Sequence, residues 1–302
     1  MRKHLFTLLA ALALVSGTLA TGAQAARPKS KHVVLIALDG WGAYSVPKAD
    51  IPHIRSLMER GCYTLKSRSI LPSSSAPNWA SMFMGVPTEL HGYTQWGSRT
   101  PELPSAQVNE RHICPTIFSV VREQRPDAVT GCLYEWEGIK YLIDTTAVTF
   151  HAIAPDYGKN PTLLCEMAER AIREQRPALL AVCFDQLDHT GHADGHDTPA
   201  YYAKLKELDG YVGRILQAID EAGIADETTV VMTADHGGKG KGHGAATLPE
   251  MEIPFIMAGR AVKARGEIPA QLMQYDTAAM LAYLCGVTPP PVWRGRALPE
   301  LF

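Results

Sequence analysis

Uninterrupted apolar runs alternate with amphipathic segments along most of this chain, and that alternation predicts its architecture. "HVVLIAL" (32–38), "AVTGCLY" (128–134), "ALLAVCF" (178–184), "TTVVMTA" (228–234) and "IPFIMAG" (253–259) are such runs. Strands buried on both faces read this way. Between them the period changes to that of helices. Segment 160–175 opens with Asn160 as a cap and Pro161 in the first turn. In 198–223, Tyr201, Leu205, Leu208, Val212, Ile215 and Ile219 fall on one face, and Gly223 ends the helix. "DTAAMLAYLCG" (276–286) is a short closing helix, and "SSSAPNWASM" (73–82) is a serine run opening a helix at Asn78. The expected fold is α/β: a three-layer sandwich with a mostly parallel central sheet and helices on both faces. Residues 86–113 show no periodicity and much Gly, Pro and Ser, which predicts a long loop on the ligand side of the sheet.

In sheets of this kind ligands bind beyond the carboxyl ends of the strands. That rule sorts the polar residues. Asp39 follows the first run, Asp185 and Asp188 follow the third, and Asp235 and His236 follow the fourth. A glycine-rich stretch, "TADHGGKGKGHG" (233–244), then returns a second imidazole, His243. One such carboxylate would be an ordinary helix cap. Three gathered at one edge repel one another, and a divalent cation removes the repulsion. In "DQLDHTGHADGH" (185–196) both Asp185–His189 and Asp188–His192 have the spacing of four, and spacing does not choose between them. His189 and His196 read as exposed loop histidines. Carboxylates with imidazoles suit zinc, and also manganese or iron. There are enough donors for two ions, which at about 4 Å apart can clamp an in-line displacement at phosphorus. The three serines 73–75 offer a hydroxyl nucleophile beside a helix N-terminus, where an anion is favoured, although serines there commonly serve only as caps.

Composition changes the picture at the N-terminus. "MRKHLFTLLAALALVSGTLATGAQA" has a basic start, an apolar run and an Ala23-Gln24-Ala25 end, the pattern of a secretory signal cleaved after Ala25. Its run is shorter than the roughly 20 residues a spanning helix needs. Residues 26–302 are then one exported domain, periplasmic or secreted. Removing Arg2 and Lys3 takes the formal net charge from −2 to −4. That mild value gives no footprint for a nucleic-acid polymer or a membrane surface, and oligomeric state is not legible. The six cysteines permit disulfides in an exported chain, but Cys183 sits in a strand run and Cys165 and Cys285 in helical patterns.

"LIALDGWG", "SAPNWASMFMGVPTELHG", "LDHTGH" and "TADHGG…GHG" resemble, in order, the metal and nucleophile segments of the alkaline phosphatase superfamily. The closest branch is the type I phosphodiesterase / nucleotide pyrophosphatase family. The resemblance implies two Zn2+ ions. Asp39, Ser75, Asp235 and His236 hold the first; Asp188, His192 and His243 hold the second, which chooses between the two spacings. It implies Ser75 as nucleophile, a phosphoseryl intermediate released by hydroxide at the second metal, and Asn78 as the contact to a phosphoryl oxygen. A small phosphoester, expected to be a diester, is the implied substrate. Phosphomonoesterase, phosphonate hydrolase and phosphotransferase are the neighbouring readings. A non-catalytic relative would be expected to have lost ligands, and here all seven stand. Trp79 occupies the place where sulfatases of this superfamily carry arginine, which argues against a sulfatase. Trp79, Tyr93, Trp96 and Trp136, with Tyr134, are candidate pocket aromatics that could stack a base or an aryl group. Lys239 and Lys241 are expected to point to solvent.

Overall fold

The computed structural model describes residues 29–302; the signal segment expected at 1–25 lies outside them. The strands are β1 His32–Leu38, β2 Cys62–Arg68, β3 Thr130–Tyr134, β4 Phe150–Ile153, β5 Leu179–Phe184, β6 Thr228–Thr233, β7 Glu252–Gly259 and β8 Gly266–Glu267. The helices are α1 Pro52–Arg60, α2 Ser75–Met84, α3 Thr88–His91, α4 Ile117–Gln124, α5 Leu163–Gln175, α6 Gln186–Asp194, α7 Pro199–Glu221, α8 Leu248–Met251 and α9 Asp276–Cys285. All five strand runs expected from the sequence form strands.

They join one eight-stranded sheet in the order β4-β3-β5-β1-β6-β7-β2-β8. The sheet is parallel except for β7, which runs antiparallel to both β6 and β2. β7 carries Pro254, which has no N–H for the ladder. On β2 the register shifts between Thr64 and Ser67, opposite Phe255 and Ile253, so a bulge falls beside the proline.

Two apolar layers flank the sheet. Val33, Leu35 and Ala37 of β1 pack with α2, α4 and α9 on one face. Val34, Ile36 and Leu38 pack with α1, α5 and α7 on the other. This two-sided burial is why β1 reads as a continuous apolar run.

Three local expectations change. Helix α5 begins at Leu163, after Thr162, because Asn160 and Pro161 are spent in the preceding turn. Helix α2 begins at Ser75 rather than Asn78 and ends at Gly85, whose φ is +62°. The 86–113 segment contains the short helix α3 before it becomes irregular. The α7 face expected from periodicity is buried as read, with the Thr198 hydroxyl accepting from Tyr201 N–H at its start. All six cysteines are buried free thiols. Among the described residues no helix is long and apolar enough to cross a membrane.

Candidate active site

Asp39 extends β1 by one residue, its N–H donating to Phe184 O. The chain then turns at Gly40, with φ of +70°. A Cβ there would lie 2.6 Å from Asp188 Oδ1 and 2.9 Å from the Asp188 Cα, so only glycine lets Asp39 and Asp188 come together. Asp188 and His192 stand one turn apart on α6, just after β5. Asp235 and His236 follow β6, and the loop beyond them brings back His243. Ser75 is the first residue of α2.

These groups converge. Ser75 Oγ lies 3.3 Å from His236 Nε2. The same nitrogen lies 3.2 Å from Asp235 Oδ2 and 3.4 Å from Asp39 Oδ1. His192 Nε2 is 3.1 Å from Asp188 Oδ2 and 3.2 Å from His243 Nε2. The His236 and His243 rings stack with centroids 3.8 Å apart, which joins the two clusters. Asp188 belongs to both: its carboxylate oxygens converge with His192 and His243, and also with Asp39 and His236. The Asp185–His189 pair is not assembled in this way. Asp185 accepts instead from the Tyr157 hydroxyl at 2.6 Å.

The proton arrangement points to cations. Nδ1 of His236 faces Gly237 O at 2.8 Å, that of His192 faces Lys241 O at 2.9 Å, and that of His243 faces Ser73 O at 3.1 Å. Each carbonyl assigns the ring proton to Nδ1 and frees Nε2 to point inward, as in histidines that bind metals. Asp39 Oδ1, Asp188 Oδ1 and Asp235 Oδ2 are buried without a hydrogen-bond partner. Lone pairs of nitrogen and oxygen thus face one another in a space that is buried at Asp39, Asp188 and His236 and open to solvent at His192, which is favourable with positive charge between them. Burial and neighbouring charge shift these groups in different directions. Burial, and then the neighbouring carboxylates, push Asp39 and Asp235 well above the usual range. Burial and His243 pull His236 down to about 3. Burial acts to raise Asp188 too, but its contacts with His192 and His196 outweigh that and hold it below its ordinary value. The Asp188 contact raises His192 to about 9. The residues present fit divalent cations.

Several expected roles are corrected. Asn78 is fully buried, and its amide is taken up by the main chain of 70–74. Oδ1 accepts from Ile70 N–H at 2.7 Å, and Nδ2 donates to Pro72 O and Ser74 O at 3.0 Å each. It shapes the loop before Ser75 and does not face the cavity. Trp79 is a core residue that donates from Nε1 to Asp39 Oδ2 at 3.1 Å. Tyr93 is buried, its hydroxyl donating to Tyr141 O, and Tyr134 is buried with its hydroxyl against His151 Nδ1. Only Trp96 and Trp136 of these aromatics line the cavity in front of Ser75, which encloses about 740 Å³. The serines do not cap α2 through their side chains; Ser73 Oγ donates to Ala245 O instead. His189 is exposed as expected, but on α6 rather than in a loop. His196 is not exposed: its side chain is buried beside Asp188.

Two supports escaped the sequence reading. Glu135, buried just beyond β3, accepts from Asp185 N–H and from Gln186 Nε2 and so fixes the start of α6. Burial pushes its carboxyl up to about 7. Its place at a strand end was the available signal. Gln274 Nε2 donates to Ala234 O at 3.0 Å and steadies the end of β6; nothing local marks it.

A parallel-sheet fold that gathers carboxylates, imidazoles and a serine at its strand ends defines a metal-assisted hydrolase class. Residues 33–241 match the type I phosphodiesterase / nucleotide pyrophosphatase family, and the chain belongs to that family. It is 25% identical over 222 residues to the uncharacterized pyrophosphatase/phosphodiesterase C725.05c of Schizosaccharomyces pombe, covering 68% of this chain and 44% of that protein. It is 24% identical over 241 residues to mouse bis(5'-adenosyl)-triphosphatase enpp4, covering 74% and 50%. The chain thus aligns with about half the length of these relatives. Murine ectonucleotide pyrophosphatase/phosphodiesterase 5, solved as an inactive form in complex with AMP, shares the fold. Its TM-score is 0.73 at 14% identity, over 90% of this chain and 100% of that one.

Proposed function

We propose that this protein is an exported two-metal hydrolase of phosphoesters, with phosphodiesters as its preferred substrates. The observation that carries the reading is the convergence of two donor sets that share Asp188, Asp39–Asp188–His236 and Asp188–His192–His243, with Ser75 Oγ 3.3 Å from His236 Nε2. Asp39, Ser75, Asp235 and His236 would hold one ion, and Asp188, His192 and His243 the other, with zinc the ion that best suits this donor set. Such ions supply Lewis-acid stabilisation of the phosphoryl oxygens and activate hydroxyl groups.

The chain's own residues account for the rest. Ser75 Oγ forms a bond to phosphorus while the ester P–O bond breaks, and the leaving group departs as the alcohol once protonated. Water then cleaves the phosphoserine and restores the hydroxyl. Ser75 opens a ten-residue helix, where the dipole favours the phosphoryl anion. Asn78 and the 70–74 loop hold it there.

The diester preference rests on charge. Among the described residues the cavity lining includes Asp185 and Asp188 but no lysine or arginine. Lys239 and Lys241 are exposed, and Lys241 donates outside the cavity to Ala193 O. Stabilising the second charge of a monoester needs a fixed cation already aimed at it. Trp96 and Trp136 offer stacking surface to an aryl or base leaving group.

Rapid quenching with a diester labelled at phosphorus tests the mechanism. The label should appear on the peptide containing Ser75 and be absent from Ser75→Ala, which should keep its bound metal and lose turnover. Label on Ser74, or turnover by Ser75→Ala, would refute the assignment.

A further inference from the structure

His196 has no part in the proposed ligand set, yet it lies at the junction of the two segments that carry the second set. Its main-chain N–H donates to Gly240 O at 2.6 Å, which ties the end of α6 to the 239–243 loop. Its Nδ1 lies 3.2 Å from the same carbonyl, and its Nε2 lies 3.3 Å from Asp188 Oδ1. A carbonyl and a carboxylate oxygen can only accept, so the ring meets an acceptor at each nitrogen: Gly240 O at Nδ1 and Asp188 Oδ1 at Nε2. Both Nε2 and Asp188 Oδ1 are buried and neither makes a hydrogen bond of good geometry, so each faces the other across this close approach.

The ring sits between two glycines. A Cβ on Gly191 would fall 2.3 Å from the imidazole, and one on Gly238 would fall 2.2 Å from Nε2. Both segments, one from α6 and one from the metal loop, thus leave out a side chain where this ring lies. Neither converging set of donor atoms includes His196. A histidine placed only to fill space would not need to present nitrogen to the one carboxylate shared by both sets.

We propose that His196 is a positioning residue for the Asp188–His192–His243 ion: it holds Asp188 Oδ1 so that Oδ2 faces the two imidazoles, and it locks the loop that delivers His243. The inference rests on the two-metal reading above. Partners of this kind typically change metal affinity about tenfold to a hundredfold when removed.

Zinc titration of the metal-free full chain against a chromophoric chelator tests it. Wild type should bind two ions. His196→Phe, which keeps the ring volume, should bind one ion unchanged and the other about ten to a hundred times more weakly. His196→Gln, whose amide N–H can still reach Asp188, should recover part of that loss. Gly238→Ala, which pushes the ring off Asp188, should reproduce the selective weakening, and it carries the test if His196→Phe fails to fold. Two ions bound at wild-type affinity in the folded variants, or equal loss at both positions, would overturn the proposal. Fewer than two ions in wild type would instead defeat the proposed function.

Discussion

Trp79 Nε1 donates to Asp39 Oδ2 across 3.1 Å, and the bond divides the work of that carboxylate between its two oxygens. Oδ2 is held by the core, while Oδ1 is left facing His236 Nε2 at 3.4 Å. The indole is itself fixed by stacking on Phe83, with centroids 6.1 Å apart. Trp79→Phe should preserve that stacking and free the carboxylate to rotate. Affinity for the ion held by Asp39 should fall about tenfold, with the other ion unaffected. Competition with a chelator measures both, and an unchanged first affinity would leave Trp79 a packing residue only.

Asn78 separates two ways of losing activity. A residue that only touches the transition state can be removed without unfolding anything. Asn78→Ala would leave Ile70 N–H buried and unpaired and would release the main chain on the approach to Ser75. The expected cost is on the order of 2–4 kcal/mol of stability, seen as a lower Tm, together with a fall in kcat. Full stability with reduced kcat would restore a direct role at the phosphoryl oxygen.

Substrate charge offers an independent check. With no lysine or arginine lining the cavity among the described residues, bis-p-nitrophenyl phosphate should have a higher kcat/KM than p-nitrophenyl phosphate, and p-nitrophenyl sulfate should not turn over above background. Trp96 is 68% exposed at the cavity mouth, so Trp96→Ala should raise KM for the aryl diester several-fold and leave kcat nearly unchanged. A tenfold monoester preference would sink the diester reading and direct attention to Lys239 and Lys241.

Local sequence determined more of this protein than its side-chain roles suggest. A strand buried on both faces must be apolar throughout, so β1, β3, β5, β6 and β7 are visible as runs. Residues just past such runs emerge at one edge, so Asp39, Asp188, Asp235 and His236 could be gathered before any coordinates. The strands β2 and β4 escaped because partly buried and exposed positions interrupt them, so neither forms a continuous apolar run. The direction of β7 escaped because a fully buried run reads the same in either direction. Tertiary structure alone decided what each polar side chain does next to its neighbours. Asn78 turns to the 70–74 backbone, Trp79 to Asp39, and His196 to Asp188, and only in the folded chain do those partners surround them. A hydrogen bond depends on where an acceptor lies to within a few tenths of an ångström. Periodicity places a residue on a face, but the acceptor opposite it comes from a segment the local pattern does not contain.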